Sequence, residues 1–177
     1  MDKIKIETFI GQQNHCTFPV FTVDSVSIKD PLAVERAQKI LEENEGDYLS
    51  GFVSLIFNDE IIFCEEQLTE CLLDTWSTLS YVLESRYDGR GHRIVFLDNG
   101  KYFDTVIENT GQYYRIQLDS SQEFLLPKEE FLNELKKKFF EFVEFCKNEK
   151  LQFSEESSYR GLLETYEELI QNEEKKI

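Results

Sequence analysis

The sequence predicts an α+β domain: an antiparallel sheet built as a meander, with helices packed largely on one face. Three observations carry this. Short apolar runs with strand-like composition recur along the chain, and longer stretches place apolar residues at three- and four-residue steps. Between several of the strands stand only brief turn sequences, Asn58-Asp59-Glu60, Asp98-Asn99-Gly100 and Asn109-Thr110-Gly111. Connections that short force antiparallel neighbours, because parallel pairing needs a crossover of a dozen residues or more. A length of 177 residues reads as one domain, 1–177, long enough to bury roughly 70% of its unfolded surface. Fifteen phenylalanines supply bulky core material.

In chain order, residues 3–10 and 18–28 read as strands, the second apolar on both faces. Asp30-Pro31 has the form of a helix start, an acid at the N-cap followed by proline, and the helix runs to about Asn44, before Gly46. Gly51–Phe57 and residues 61–64 form a hairpin around Asn58-Asp59-Glu60. From 65 to 87 the spacing of Leu68, Leu72, Trp76, Leu79 and Leu83 predicts one helix, closed by Gly89 and Gly91. Strands follow at 93–97, 101–107 and 112–118. Pro127 opens a long helix to about Asn148 with Phe131, Leu135, Phe139, Phe142, Val143 and Cys146 on its core face. Phe140 and Phe145 lie outside that stripe, so a second element must cover them. The amphipathic segment at about 155–173, with Tyr159, Leu162, Leu163, Tyr166, Leu169 and Ile170 in register, supplies part of that cover.

The formal charge is −16, from 19 Lys+Arg against 35 Asp+Glu. Residues 40–85 hold no lysine or arginine and eleven acids: Glu42, Glu43, Glu45, Asp47, Asp59, Glu60, Glu65, Glu66, Glu70, Asp74 and Glu84. Charge of one sign opposes compaction and attracts its opposite, so the expected partner is a basic protein. The same balance argues against nucleic acid as a direct ligand, since phosphates require clustered cations. No segment approaches the roughly 18 apolar residues of a membrane span. The alternation in Met1-Asp2-Lys3-Ile4-Lys5-Ile6 lacks the apolar run of a secretory leader, so cytoplasmic residence is the expectation. Cys16, Cys64, Cys71 and Cys146 form no C-x-x-C pair and read as reduced, mostly buried thiols.

Two clusters qualify as candidate sites. Spaced four apart on a predicted helix, Glu66, Glu70 and Asp74 would form an acidic stripe whose mutual repulsion costs roughly 0.2–0.5 kcal/mol per pair. With Glu42, Glu43, Glu45 and Asp47 in a loop and Asp59-Glu60 in a turn, this stripe is the predicted partner-binding surface. The ordinary reading is a solvated acidic face. Second, Arg86, Arg90, His92 and Arg93 gather in a glycine-containing loop with the potential to hold an anion, without P-loop or dinucleotide spacing. Its ordinary reading is a helix C-terminus whose cations complement the dipole.

Nothing points to catalysis, a cofactor or a metal. His15 and Cys16 are adjacent and point to opposite strand faces, no G-x-S-x-G elbow occurs, and two histidines give no zinc pattern. Asp98-Asn99-Gly100 lacks the rest of a calcium loop. Trp76 lies on the apolar stripe and reads as core. Of Tyr113-Tyr114, adjacent on a strand, one must face away from the core, where it is suited to an interface.

Over residues 50–150 the layout resembles the small acidic immunity proteins of bacterial polymorphic toxin systems. The residues that carry the likeness are the glycine-led strand pair from Gly51 to Cys64, the amphipathic helix with Trp76 three residues before Leu79, the short strands divided at Asp98-Asn99-Gly100, and the phenylalanine-rich helix. The resemblance implies a cytoplasmic inhibitor, not an enzyme, that binds a cognate toxin domain such as a basic nuclease. A phage-type anti-defence protein mimicking DNA would use the same acids. A small-ligand protein or enzyme would use the Arg86–Arg93 loop.

Overall fold

Alternation from Ile4 onward places Ile6, Thr8 and Ile10 on one face of an extended strand and Lys5, Glu7 and Phe9 on the other. In the computed structural model, which describes residues 3–14, 22–96, 102, 104–118 and 122–175, this strand is β1, Ile4–Asn14. It pairs antiparallel with β2, Thr22–Ser27, and with β3, Gly51–Phe57. β4, Glu60–Phe63, completes a sheet of order β2-β1-β3-β4. The β3–β4 turn has Asn58 at φ 48° and Asp59 at φ 67°, the left-handed pair whose twist suits a two-residue hairpin loop.

A second antiparallel sheet contains β5, His92–Arg93; β6, Val106–Asn109; β7, Tyr113–Leu118; and β8, Gln122–Pro127, in sequential order. The α+β class and the meander of the second half are therefore as predicted, but the strands divide between two sheets. β8 was not legible because its apolar residues, Phe124, Leu125 and Leu126, are consecutive and do not alternate, and Pro127 signals a helix start. Proline fits here because it ends an edge strand, where a missing N–H is tolerated. The expected turn at Asp98-Asn99-Gly100, residues 18–21 of the second predicted strand, and His15-Cys16 lie outside the described residues.

Among the described residues, four helices cover the sheets: α1, Ala33–Glu43; α2, Leu72–Ser80; α3, Lys128–Cys146; and α4, Tyr159–Glu174. Asp30 and Pro31 precede α1 as a turn: the Asp30 carboxylate accepts the Leu32 N–H at 2.8 Å, and its carbonyl accepts that of Ala33 at 3.0 Å. α1 ends in a left-handed turn at Glu45 and Gly46, where the Gly46 N–H returns to the Leu41 carbonyl at 2.8 Å. Glu155 and Glu156, read from the sequence as the first turn of the C-terminal helix, stand instead in the turn that precedes α4.

The continuous helix expected over 65–87 is not formed. A 3₁₀ turn at Glu65–Gln67 is followed by an extended link, then by α2 and a second 3₁₀ turn at Tyr81–Leu83. In the link, Thr69 and Gly51 exchange backbone hydrogen bonds at 3.0 Å in both directions. The Thr69 hydroxyl also accepts the Cys71 N–H at 3.0 Å. Tertiary backbone pairing outcompetes the local helical pattern there. Gly51 is also pressed against β1, where a Cβ would lie 2.1 Å from the Phe9 carbonyl oxygen.

One core joins both sheets. α3 packs on β1 of the first sheet and on β7 and β8 of the second. Trp76 is fully buried, with its ring 5.7 Å from Phe142 and 6.0 Å from Phe139. Its indole N–H donates to the Thr8 hydroxyl at 3.0 Å, tying α2 to β1. Phe140 meets Tyr166 of α4 edge-on at 5.3 Å, as the need for cover implied. Tyr114 is buried against Phe131, whereas Tyr113 is 44% exposed on the open face of the second sheet.

Candidate functional site

The chain around Tyr48 is fixed by its own polar groups. The Asn44 side-chain amide donates to the carbonyls of Ile40 at 3.1 Å and Tyr48 at 2.7 Å, and its oxygen accepts the Tyr48 N–H at 3.0 Å. Beyond it the Leu49 carbonyl accepts the Leu72 N–H, and the Ser50 carbonyl accepts the Gly11 N–H. These bonds bind the end of α1, the end of β1 and the start of α2 into one rigid platform. Tyr48 stands on it, 48% exposed.

Two cavities flank Tyr48. The larger, of about 460 Å³, is lined by Gln12 and Gln13 of β1, by Ile40, Glu43 and Asn44 of α1 and its cap, and by Tyr48, Ser50, Leu68, Thr69 and Glu70. The smaller, of about 40 Å³, includes Asp47, Tyr48, Asp74, Glu156, Ser157 and Ser158. None of the described residues lining either is lysine, arginine or histidine. Folding thus brings Glu43, Asp47, Glu70 and Asp74 around one exposed aromatic ring. Asp74 accepts the Ser158 hydroxyl at 2.5 Å, and Asp47 accepts that of Ser154, so both carboxylates are held in place.

Ser50 is 6% exposed, and its hydroxyl oxygen has no hydrogen-bond partner. A buried hydroxyl left unsatisfied costs about 1–3 kcal/mol.

The remaining predicted acids are elsewhere. Glu42 and Glu45 line a separate groove of about 240 Å³ with Lys150 and Gln152. The Asp59-Glu60 turn is at the opposite end of β3, roughly 20 Å away at 3.3 Å per strand residue. Glu66 accepts the Tyr102 hydroxyl at 2.6 Å. With the helix broken at Thr69, Glu66, Glu70 and Asp74 share no helical face, and the stripe is replaced by the assembly around Tyr48. Tyr48, Ser50, Gln12, Gln13 and Glu156 were missed. Tyr48 had a sequence signal, an aromatic residue set between Asp47 and the apolar Leu49 inside the lysine-free block. Glu156 had none beyond its charge.

The Arg86–Arg93 loop does not converge. Arg86 pairs with Glu84 at 3.0 Å and lies over the Tyr81 ring, Arg90 pairs with Asp88 at 3.5 Å, and Arg93 with Asp104 at 3.5 Å. The pairing with Glu84 holds the Arg86 guanidinium above its ordinary pKa. His92 packs edge-on against Tyr81 and Tyr87, and its Nε2 is 2.9 Å from the Thr78 carbonyl. None of the three cavities is lined by these four residues.

Among the described residues no group of three or more His, Cys, Asp or Glu side chains is placed to hold a metal ion, and no helix is long and apolar enough to cross a membrane. Cys64 and Cys146 are free thiols. Comparison with protein-family models, curated proteins and solved structures gave no match.

Proposed function

We propose that this protein is a cytoplasmic inhibitor of the immunity type, which neutralises a basic protein such as a toxin nuclease domain by covering it with the surface around Tyr48. The observation that supports this is the convergence of Glu43, Asp47, Glu70, Asp74 and Glu156 on an exposed tyrosine, with no described cation lining the two cavities. An aromatic anchor ringed by charge is the form of an interface hot spot. Carboxylates are what an inhibitor needs to occupy a site made for phosphate. Close charge pairs across such an interface couple by roughly 1.5–7 kcal/mol, and steering raises association rates by about 10–10³-fold.

The test is affinity capture from the host cytosol with the wild-type chain and with a quadruple variant, E43Q/D47N/E70Q/D74N. Trp76 fluorescence verifies that the variant is folded. The proposal expects a basic protein that the wild type retains at low salt, that raised salt releases, and that the variant fails to retain. A cognate toxin domain identifies an immunity protein; a host nuclease identifies a DNA-mimicking inhibitor. Equal retention by both chains would overturn the surface assignment.

A further inference from the structure

The second sheet leaves one long edge open. At the β6–β7 turn the Thr110 N–H donates to the Tyr113 carbonyl at 2.9 Å, and past the end of β8 the Lys128 N–H donates to the Gln112 carbonyl at 3.0 Å. Both bonds fix the same alternation: Tyr114, Ile116 and Leu118 of β7 bond to Leu126, Phe124 and Gln122, the residues opposite them on β8. The main-chain groups of Glu123 and Leu125 therefore point away from the sheet, and none of the described residues bonds to them. Pro127 shares that direction, where its missing N–H costs nothing. Leu125 is 48% exposed and lies on the same open face as Tyr113. Proteins commonly blunt such an edge with a bulge, a charge or a short strand. β4, an edge of the first sheet, has a register shift opposite Leu55 and Ile56, and β5 has only two residues. β8 runs for six residues without a shift, and Glu123 is its one charge.

We propose that β8 pairs antiparallel with β8 of a second copy of this chain, joining the two second sheets across a two-fold axis that passes beside Phe124. Proline selects the register. Leu125 opposite Leu125 would match Glu123 with Pro127, which has no N–H to give. Glu123 opposite Leu125 uses every outward donor, since each Glu123 N–H then donates to a Leu125 carbonyl and each Leu125 N–H to a Glu123 carbonyl. The same register sets Phe124 directly against Phe124 of the second copy in a non-hydrogen-bonded pair, where side chains approach most closely. The two Leu125 side chains stand diagonally across the axis on the open face, within reach of each other. Charge favours a second copy over the basic partner. Segment 112–127 carries Arg115, Asp119 and Glu123 as its only charges in a chain of −16. Arg115 pairs with Glu108 and stands 3.9 Å from Glu123. A cationic protein finds the acids of this face already matched, and two copies meet here with little like charge opposed.

The test is the mass of the full chain by sedimentation equilibrium over a range of concentrations, with Trp76 fluorescence verifying that each variant is folded. The expected species is twice the 20.9 kDa chain. L125P removes one outward donor from each copy and should weaken association by about tenfold or more, as loss of two hydrogen bonds between the chains implies. L125K places a charge on the edge and should weaken it as well. I61K, at a residue 58% exposed on β4, should leave the dimer unchanged. Oxidised F124C should link the two chains through position 124. The mass of a single chain throughout, a dimer that L125P and L125K disturb no more than I61K, or a dimer that does not link at 124 would overturn the inference. Salt separates this pairing from capture of a basic protein: raised salt screens like charge and should tighten the dimer, whereas it releases a cationic partner. A monomer that captures such a protein removes the pairing alone, and a dimer that captures none leaves the pairing standing.

Discussion

Replacing Thr8 with valine keeps the size of a fully buried side chain and deletes only a hydroxyl, yet it should destabilise the fold. Thr8 is 2% exposed, and its oxygen is the acceptor, at 3.0 Å, for the indole N–H of Trp76, itself fully buried between Phe139 and Phe142. Burying a polar threonine oxygen without need would be unfavourable, so a valine in an apolar core often does better. Here it strands an N–H on a side chain that is fully buried. An unsatisfied buried donor costs about 1–3 kcal/mol, with about 2 kcal/mol as the central value. For a chain of this size each kcal/mol moves Tm by about 2–4 °C, so the midpoint should fall by about 4–8 °C. Thr8→Ser retains the acceptor and loses one methyl group, about 1 kcal/mol. The assay is urea unfolding followed by Trp76 fluorescence, which reports from the perturbed site because the chain has one tryptophan. Valine must cost more than serine. If Thr8→Val matches the wild type, or if serine is the worse substitution, the hydrogen bond does not hold α2 to β1.

Asp59→Gly should raise stability by about 0.5–1 kcal/mol, since it relieves a non-glycine residue at φ 67°, while partner affinity stays unchanged because the turn is remote from Tyr48; urea midpoint and capture yield check the two halves. Gly46→Ala should cost about 1–3 kcal/mol by thermal melting, because φ is 82° and a Cβ would stand 2.6 Å from the Gln152 carbonyl oxygen. Tyr166→Phe removes the hydroxyl that donates to Glu144. That bond raises Tyr166 to about 12, with burial adding to it, and lowers Glu144, with Lys147 contributing and desolvation opposing. A raised tyrosine stabilises below its ordinary value of 10 and loses that contribution as pH climbs towards about 12; a lowered carboxylate stabilises above its ordinary 4.5 and loses it as pH falls. The wild type should therefore exceed Tyr166→Phe by about 0.5–1.5 kcal/mol near pH 7, and the difference should shrink at both extremes in a pH series of urea midpoints. Burial pushes the Cys146 thiol upward, so a thiol reagent should modify half-buried Cys64 long before Cys146 in the native protein, as peptide mapping would show.

Local pattern was legible wherever it agreed with the tertiary fold. The Asn58-Asp59 hairpin, the core stripe of α3 and the burial of Trp76 follow from spacing alone, because strand alternation and helical periodicity there coincide with what the core demands. The segment 65–87 was misread for the opposite reason. Its apolar spacing is helical, but the backbone of Thr69 pairs with Gly51, a contact across the fold that no window of neighbouring residues contains. That one exchange dismantled the predicted acidic stripe and assembled another surface from Glu43, Asp47, Glu70 and Asp74. Charge as a property of the block was readable; adjacency within it was not. Tyr48 and Ser50 gained their places from the Asn44 turn and the strand pairing beyond it, which depend on geometry rather than on composition.

Glu7, Asp47, Asp74 and Glu168 each accept a hydrogen bond from a serine, Ser27, Ser154, Ser158 and Ser85 respectively. A lysine or arginine in any of those positions would fasten the chain equally well but would cancel the carboxylate it held. A neutral donor leaves the full negative charge in place. These acids therefore serve as joints and as sources of field at once. Their two roles also answer differently to the surroundings: added electrolyte shortens the reach of the field to about 8 Å at physiological strength, while a short-range hydroxyl contact is screened far less. Salt can thus switch off long-range attraction without loosening the joints that shape the surface.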